Sequence, residues 1–218
     1  HEGLPRRTFM ARMVALAGSV AAAEALIGSI AASPAAAAVI PPSDPRLRTG
    51  IVHPYPRYNA YAAAPRTQRR KLPGVLVIHE NRGLNDHIRD VTRRVALAGY
   101  FAIAPDFLSP VGGTPPNEDQ AREMIGKLDL NAAVSAAVSM LGSLKRRTGG
   151  NGKAGAVGFC WGGAFVNRLA VAAGRQLDAG VAYYGPAPAP SEAAKVDAPL
   201  LLHFAGLDTR VNATGFPW

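Results

Sequence analysis

Residues 74–79 read Gly-Val-Leu-Val-Ile-His, an apolar run rich in β-branched side chains, entered from Pro73 and left at the polar stretch that begins with Glu80. A strand with one wet face alternates apolar and polar residues. This run does not, so both of its faces need cover, as in parallel sheets layered between helices. The following segments keep that grammar. Residues 86–98 place Ile88, Val91, Val95 and Ala98 at helical spacing and close on Gly99. Strands are expected at 100–104, 154–159, 177–184 and 200–204, and helices at 120–128, 131–144 and 162–173. Residues 109–117 and 149–152, rich in glycine, read as loop and turn, and 187–191 as a short Pro-Ala linker. Strands alternating with helices imply an α/β fold, a doubly wound and mostly parallel sheet. Residues 51–53 and 58–63 read as two short additional strands. A length of 218 residues fits one domain, and 48% hydrophobic with 18% charged residues fits a globular core.

The N-terminal region reads as targeting sequence, with domain bounds expected at 1–38, 39–71 and 72–218. Pro5-Arg6-Arg7-Thr8-Phe9-Met10 resembles a twin-arginine export motif. An Ala- and Gly-rich apolar run interrupted by Glu24 follows, then Ser33-Pro34 and four alanines suited to cleavage after Ala38. The expected location is periplasmic or secreted, with membrane contact only during export; a disordered leader with no export role is the alternative. Residues 39–71 are then a lead-in with short strands.

Export makes the single cysteine informative, because exported proteins in oxidising compartments usually carry cysteines in pairs. Cys160 lies in Val157-Gly158-Phe159-Cys160-Trp161-Gly162-Gly163. A strand runs into it and a helix starts immediately after. Gly158-Phe159-Cys160-Trp161-Gly162 is the G-x-nucleophile-x-G pattern with Cys in place of Ser, in which the nucleophile occupies a strained strand-to-helix turn. A helix N-terminus favours thiolate, and the N–H of Trp161 is placed as an oxyanion donor. The alternative is a buried, inert thiol.

Two further stretches bear on the same chemistry. Glu80-Asn81-Arg82-Gly83-Leu84 follows the 74–79 strand, where the second oxyanion donor of such folds sits, and the Asn81 N–H is the candidate. Glu80 is a carboxylate among apolar strands, either bonded to local backbone or tuning the thiol. Asp208, in the loop after the 200–204 strand, follows Cys160 in the order nucleophile then acid, and is either the acid that orients a histidine or a turn residue.

Together His79-Glu80-Asn81-Arg82-Gly83-Leu84, Ala104-Pro105-Asp106, Gly158-Phe159-Cys160-Trp161-Gly162-Gly163 and Gly206-Leu207-Asp208 resemble the dienelactone hydrolase family of the α/β-hydrolase superfamily. The resemblance runs from about Leu72 to Val211 and implies hydrolysis of a small ester or lactone through an acyl-enzyme. It implies Cys160 as nucleophile, Asp208 as acid, Glu80 as the partner of the resting thiol, and Asn81 and Trp161 as oxyanion donors. Two departures follow. The family histidine comes after the acid, whereas the five histidines here, His1, His53, His79, His87 and His203, all precede Asp208. The expectation is therefore a chain cut short at its C-terminus, lacking the last strand and helix and inactive as it stands. His203 is expected to pack in the core, and His79 to approach the site without serving as base. The second departure is the 107–113 loop, which lacks the substrate-binding arginine of the dienelactone enzymes; Arg82 and Arg210 are the candidate substitutes, with plain surface charge as the alternative for each.

Net charge is +9, but the basic residues are scattered, the longest cluster being Arg69-Arg70-Lys71, and no aromatic platform accompanies them. No nucleic-acid partner is expected. Neither a metal nor a nucleotide cofactor is expected, since ligand spacing and a phosphate-binding glycine loop are lacking. The rival to the hydrolase is a non-catalytic exported binding protein on the same scaffold. Oligomeric state is not legible.

Overall fold

The computed structural model describes residues 38–218; the expected signal segment lies outside them but for Ala38. Ile40–Trp218 forms a single compact unit. Its sheet has seven strands in the order β1-β2-β4-β3-β5-β6-β7. These are β1 (Leu47–Tyr55), β2 (Tyr58–Pro65), β3 (Leu72–Ile78), β4 (Phe101–Pro105), β5 (Gly150–Phe159), β6 (Ala179–Tyr183) and β7 (Leu200–His203). β3 to β7 are parallel, and β1 and β2 add an antiparallel flank on β4. The α/β architecture read from the sequence is the one observed.

The helices are α1 (Asp86–Leu97), α2 (Glu118–Gly126), α3 (Leu130–Arg146), α4 (Trp161–Ala173) and α5 (Thr209–Gly215). Four of them start on side-chain caps. Asn85, Asn117, Asp129 and Asp208 each accept a backbone N–H from the first turn, satisfying donors that a helix start leaves open. α1 packs on one face of the sheet, over β2, β3 and β4; α3 and α4 pack on the other, over β3, β5 and β6. Two cores result. Leu76, Ile78, Ala156 and Ala182 meet Met140, Phe165 and Leu169 on the α3/α4 side. Val77, Ala102 and Ala104 meet Ile88 and Ala96 on the α1 side.

Three expectations are corrected. Residues 150–152 are not turn but the start of β5, drawn into the sheet by pairing of Gly150 with Leu72. Thr209 to Val211, read as part of the loop that carries Asp208, instead open α5, with Asp208 as its cap. His203 is exposed and not in the core, because no helix among the described residues packs over the face of β7 that carries it.

Candidate active site

The sheet brings its chemistry-bearing residues to the carboxyl ends of adjacent strands. Ile78 of β3 pairs with Gly158 of β5, and Phe159 pairs with Tyr183 of β6, so Glu80, Cys160 and Tyr184 emerge side by side. Cys160 stands between β5 and α4 with φ 55° and ψ −115°, a left-handed backbone conformation rare for a residue with a side chain. Its N–H is held by the Tyr183 carbonyl at 3.0 Å, and its carbonyl accepts the Ala164 N–H at 3.1 Å. The glycines around it serve close approach. A Cβ on Gly158 would strike the Gly162 carbonyl, one on Gly162 would lie 2.5 Å from the carbonyl oxygens of Ile78 and His79, and one on Gly163 would strike the Tyr183 carbonyl. The bend therefore exists because these positions carry no side chain.

The thiol is half-buried, and no hydrogen bond to its sulfur is found among the described residues. Trp161 opens α4, so its N–H has no intrahelical acceptor. The Asn81 N–H likewise has no acceptor among the described residues. Glu80 is half-buried and faces the Tyr184 hydroxyl, which also lies near Cys160. Burial raises the Tyr184 phenol above its ordinary value, and its proximity to Glu80 and Cys160 adds to the effect.

Asp208 sits beyond β7 and caps α5, its Oδ1 accepting the Val211 N–H at 3.0 Å. One carboxylate oxygen is thereby committed to the turn. Arg82 is ion-paired with Glu118 at the surface, so a substrate carboxylate would have to displace that partner. Arg210 is exposed on α5, with no ion pair among the described residues. His79 is fully buried and its two ring nitrogens are occupied, one at 2.7 Å from the Glu80 carbonyl and the other accepting the Phe107 N–H at 3.2 Å. The sequence reading missed Tyr184. The signal for it was an aromatic pair ending a strand immediately before Gly185-Pro186, and its backbone carries a positive φ of 41°. It also missed the role of Asp106, which is buried and accepts hydrogen bonds from the backbone N–H groups of Leu108 and Thr114 and from the Thr114 hydroxyl.

A parallel sheet whose central strand runs through a tight, glycine-fenced elbow into a helix defines the α/β-hydrolase class. Within that class the dienelactone hydrolase family model matches residues 58–216, and the chain belongs to this family. Among similar proteins, a Salmonella typhi protein named "Putative carboxymethylenebutenolidase" is 33% identical over 197 residues, covering 83% of this chain and 73% of its own length. The "Putative hydrolase fragment YghX" of Escherichia coli K12 is 49% identical over 83 residues, 36% of this chain and 71% of that protein. The crystal structure of a Klebsiella pneumoniae protein named "Putative Dienelactone Hydrolase" superposes with a TM-score of 0.63 at 28% identity, covering 72% of this chain and 71% of that one.

Proposed function

We propose that the protein hydrolyses small esters or lactones by acyl transfer through Cys160. The observation that carries this is the thiol at a strained elbow, next to Trp161 and on the strand paired with the one that leads to Asn81, both residues having a backbone N–H with no acceptor among the described residues. Glu80 takes the thiol proton in place of the family's histidine, so activity is proposed where the sequence reading expected none. The sulfur attacks the carbonyl carbon, a C–S bond forms, and the carbonyl π pair moves onto oxygen, where the two N–H groups receive it. Collapse breaks the ester C–O bond, and the leaving alkoxide takes the proton held by Glu80. Water then adds to the thioester, giving its proton to Glu80, and expulsion of the sulfur releases the acid. The thiolate recovers the proton. A lactone yields acid and alcohol on one molecule. The names of the relatives support the substrate class. Export is proposed on the Arg6-Arg7 motif, the apolar run after it and the alanines suited to cleavage.

One observation favours a binding protein as the second reading: no imidazole among the described residues is hydrogen-bonded to Cys160 or Asp208. Incubation with p-nitrophenyl acetate separates the two. Acyl transfer predicts an acetyl adduct on Cys160 by mass spectrometry and p-nitrophenolate release, both abolished by Cys160→Ala. Release that survives the substitution at full rate refutes acyl transfer through Cys160.

A further inference from the structure

We propose that His79 is a positioning residue that aims the Asn81 N–H into the site by holding the Glu80 carbonyl from behind. The inference rests on acyl transfer at Cys160. The Phe107 backbone offers only a donor to the imidazole, at 3.2 Å, so that nitrogen, Nε2, carries the lone pair. The proton is then on Nδ1, which donates to the Glu80 carbonyl at 2.7 Å. Complete burial favours this neutral ring, since desolvation lowers its pKa. With both nitrogens engaged, the ring has no lone pair left to act as a base.

In a planar trans peptide the C=O and N–H point in opposite directions. Fixing the Glu80 oxygen on His79 therefore turns the Asn81 N–H away from the interior. A longer contact from the Gly83 N–H to the same oxygen, at 3.4 Å, is the only other backbone hydrogen bond on it among the described residues. The same ring stacks on Trp161, with centroids 5.2 Å apart and planes 12° from parallel, and meets Phe107 edge-on at 5.5 Å. One imidazole thus touches the peptide of the first donor and the side chain of the residue that supplies the second.

The far end of the loop is held independently. The Leu84 N–H donates to the Thr114 hydroxyl oxygen at 2.9 Å, and that hydroxyl donates to Asp106 at 2.8 Å. Gly83, with φ 72°, lies where a Cβ would strike Thr114. The orientation of the 80–81 peptide is the element left to His79.

The test uses the full chain and two variants. His79→Gln keeps an acceptor near Nε2 and removes the donor near Nδ1; His79→Asn keeps the donor and removes the acceptor. The measured quantity is the rate of Cys160 acetylation by p-nitrophenyl acetate divided by its rate of alkylation by iodoacetamide at the same pH. Alkylation at a saturated carbon builds no oxyanion, so the quotient isolates the donors and checks that the thiol site is intact. His79→Gln is expected to lower the quotient about 10–100-fold, with His79→Asn recovering most of the loss. An unchanged quotient in His79→Gln, or equal losses in both variants, overturns the positioning role while leaving the hydrolase standing. A wild-type thiol that alkylates but never acetylates overturns acyl transfer itself. If neither variant folds, 15N NMR of the wild-type imidazole decides: a protonated Nδ1 is required, and a protonated Nε2 refutes the proposal.

Discussion

One row of side chains crosses the α1 face of the sheet in register: Val77 on β3, Val157 on β5, Val181 on β6 and Leu201 on β7. Val77 is fully buried, the next two are half-buried, and Leu201 is 56% exposed. The row beside it repeats the trend with stacked rings, Phe159 on Tyr183 at 4.9 Å and Tyr183 on His203 at 4.3 Å, ending in an exposed imidazole. The side chains of the first row are alike, three valines and a leucine; their cover is not. α1 lies over β2, β3 and β4 and stops there, leaving an apolar groove of about 360 Å³ whose lining includes Val75, Val95, Tyr100, Val157, Val181 and Tyr183. The opposite face is covered by α3 and α4 as far as β6. The same sequence pattern thus stabilises the fold at one end of a row and contributes little at the other, according to what lies above it.

The largest test of that contrast is a truncation series along the row. Val77→Ala removes two methyl groups from a closed core and should cost about 2–3 kcal/mol in urea unfolding. Val181→Ala should cost about 1 kcal/mol, and Leu201→Ala at most about 0.5 kcal/mol. Equal losses at all three positions would mean that the face is closed in solution and the contrast is wrong.

The same contrast explains what was legible in the sequence. β3 was legible because its apolar run rich in β-branched residues marks a strand buried by its neighbours, the end of β5 because the small apolar run 154–159 leads straight into the elbow, and the elbow because only glycines at those spacings allow its backbone contacts. β1 and β2 run longer than expected, since their length is set by pairing with each other and with β4, which alanines at 60 and 62–64 do not announce. α5 was illegible: Thr-Arg-Val-Asn-Ala-Thr-Gly has weak helix propensity, and the helix exists through the Asp208 cap, fully buried Val211 and Gly215 packed against Phe204. His203 was misplaced because a strand's own residues do not say which face lacks a cover. Of the site, the thiol, Glu80 and Asn81 followed from motif spacing. Tyr184 and the bonding of His79 depend on strand neighbours far apart in sequence.

A middle-sized effect should appear at the amino end of the partly open strands, where charge does some of the work that packing does under α1. Asp178 accepts the Ala154 N–H at 2.8 Å and pairs with Lys145 at 2.8 Å and Lys153 at 3.0 Å. Burial pushes its carboxyl up, but the hydrogen bonds from Lys145, Ala154 and Lys153 prevail and hold it near 2, below its ordinary 3.8. A carboxylate with a depressed folded-state pKa stabilises fully above its ordinary value, and that stabilisation disappears as pH falls from about 4 to 2. Asp178→Asn should lower stability at pH 7 by about 1 kcal/mol and flatten the acid loss between those limits. Amides of β6 should exchange faster than those of β3 as wild-type protein is acidified. Uniform acceleration across both strands would show that the two halves share one stability.

The smallest effect on stability falls at the exposed end of the row and discriminates most sharply in solution behaviour. Leu201 lies on the edge strand β7, with one face open and its outer edge unpaired among the described residues. Contiguous exposed apolar surface beside a free strand edge favours association. Replacing Leu201 with Glu removes little buried contact and places a charge where water already reaches, so the unfolding free energy should change by no more than about 0.5 kcal/mol. Binding of a hydrophobic dye and light scattering at high protein concentration should both fall. The same charge at Val77 would have to be buried in the α1 core and should prevent folding, which makes the pair a direct measure of where the cover ends. A Leu201→Glu protein that loses as much stability as Val181→Ala would place a lid over β7 and remove the gradient on which the comparison stands.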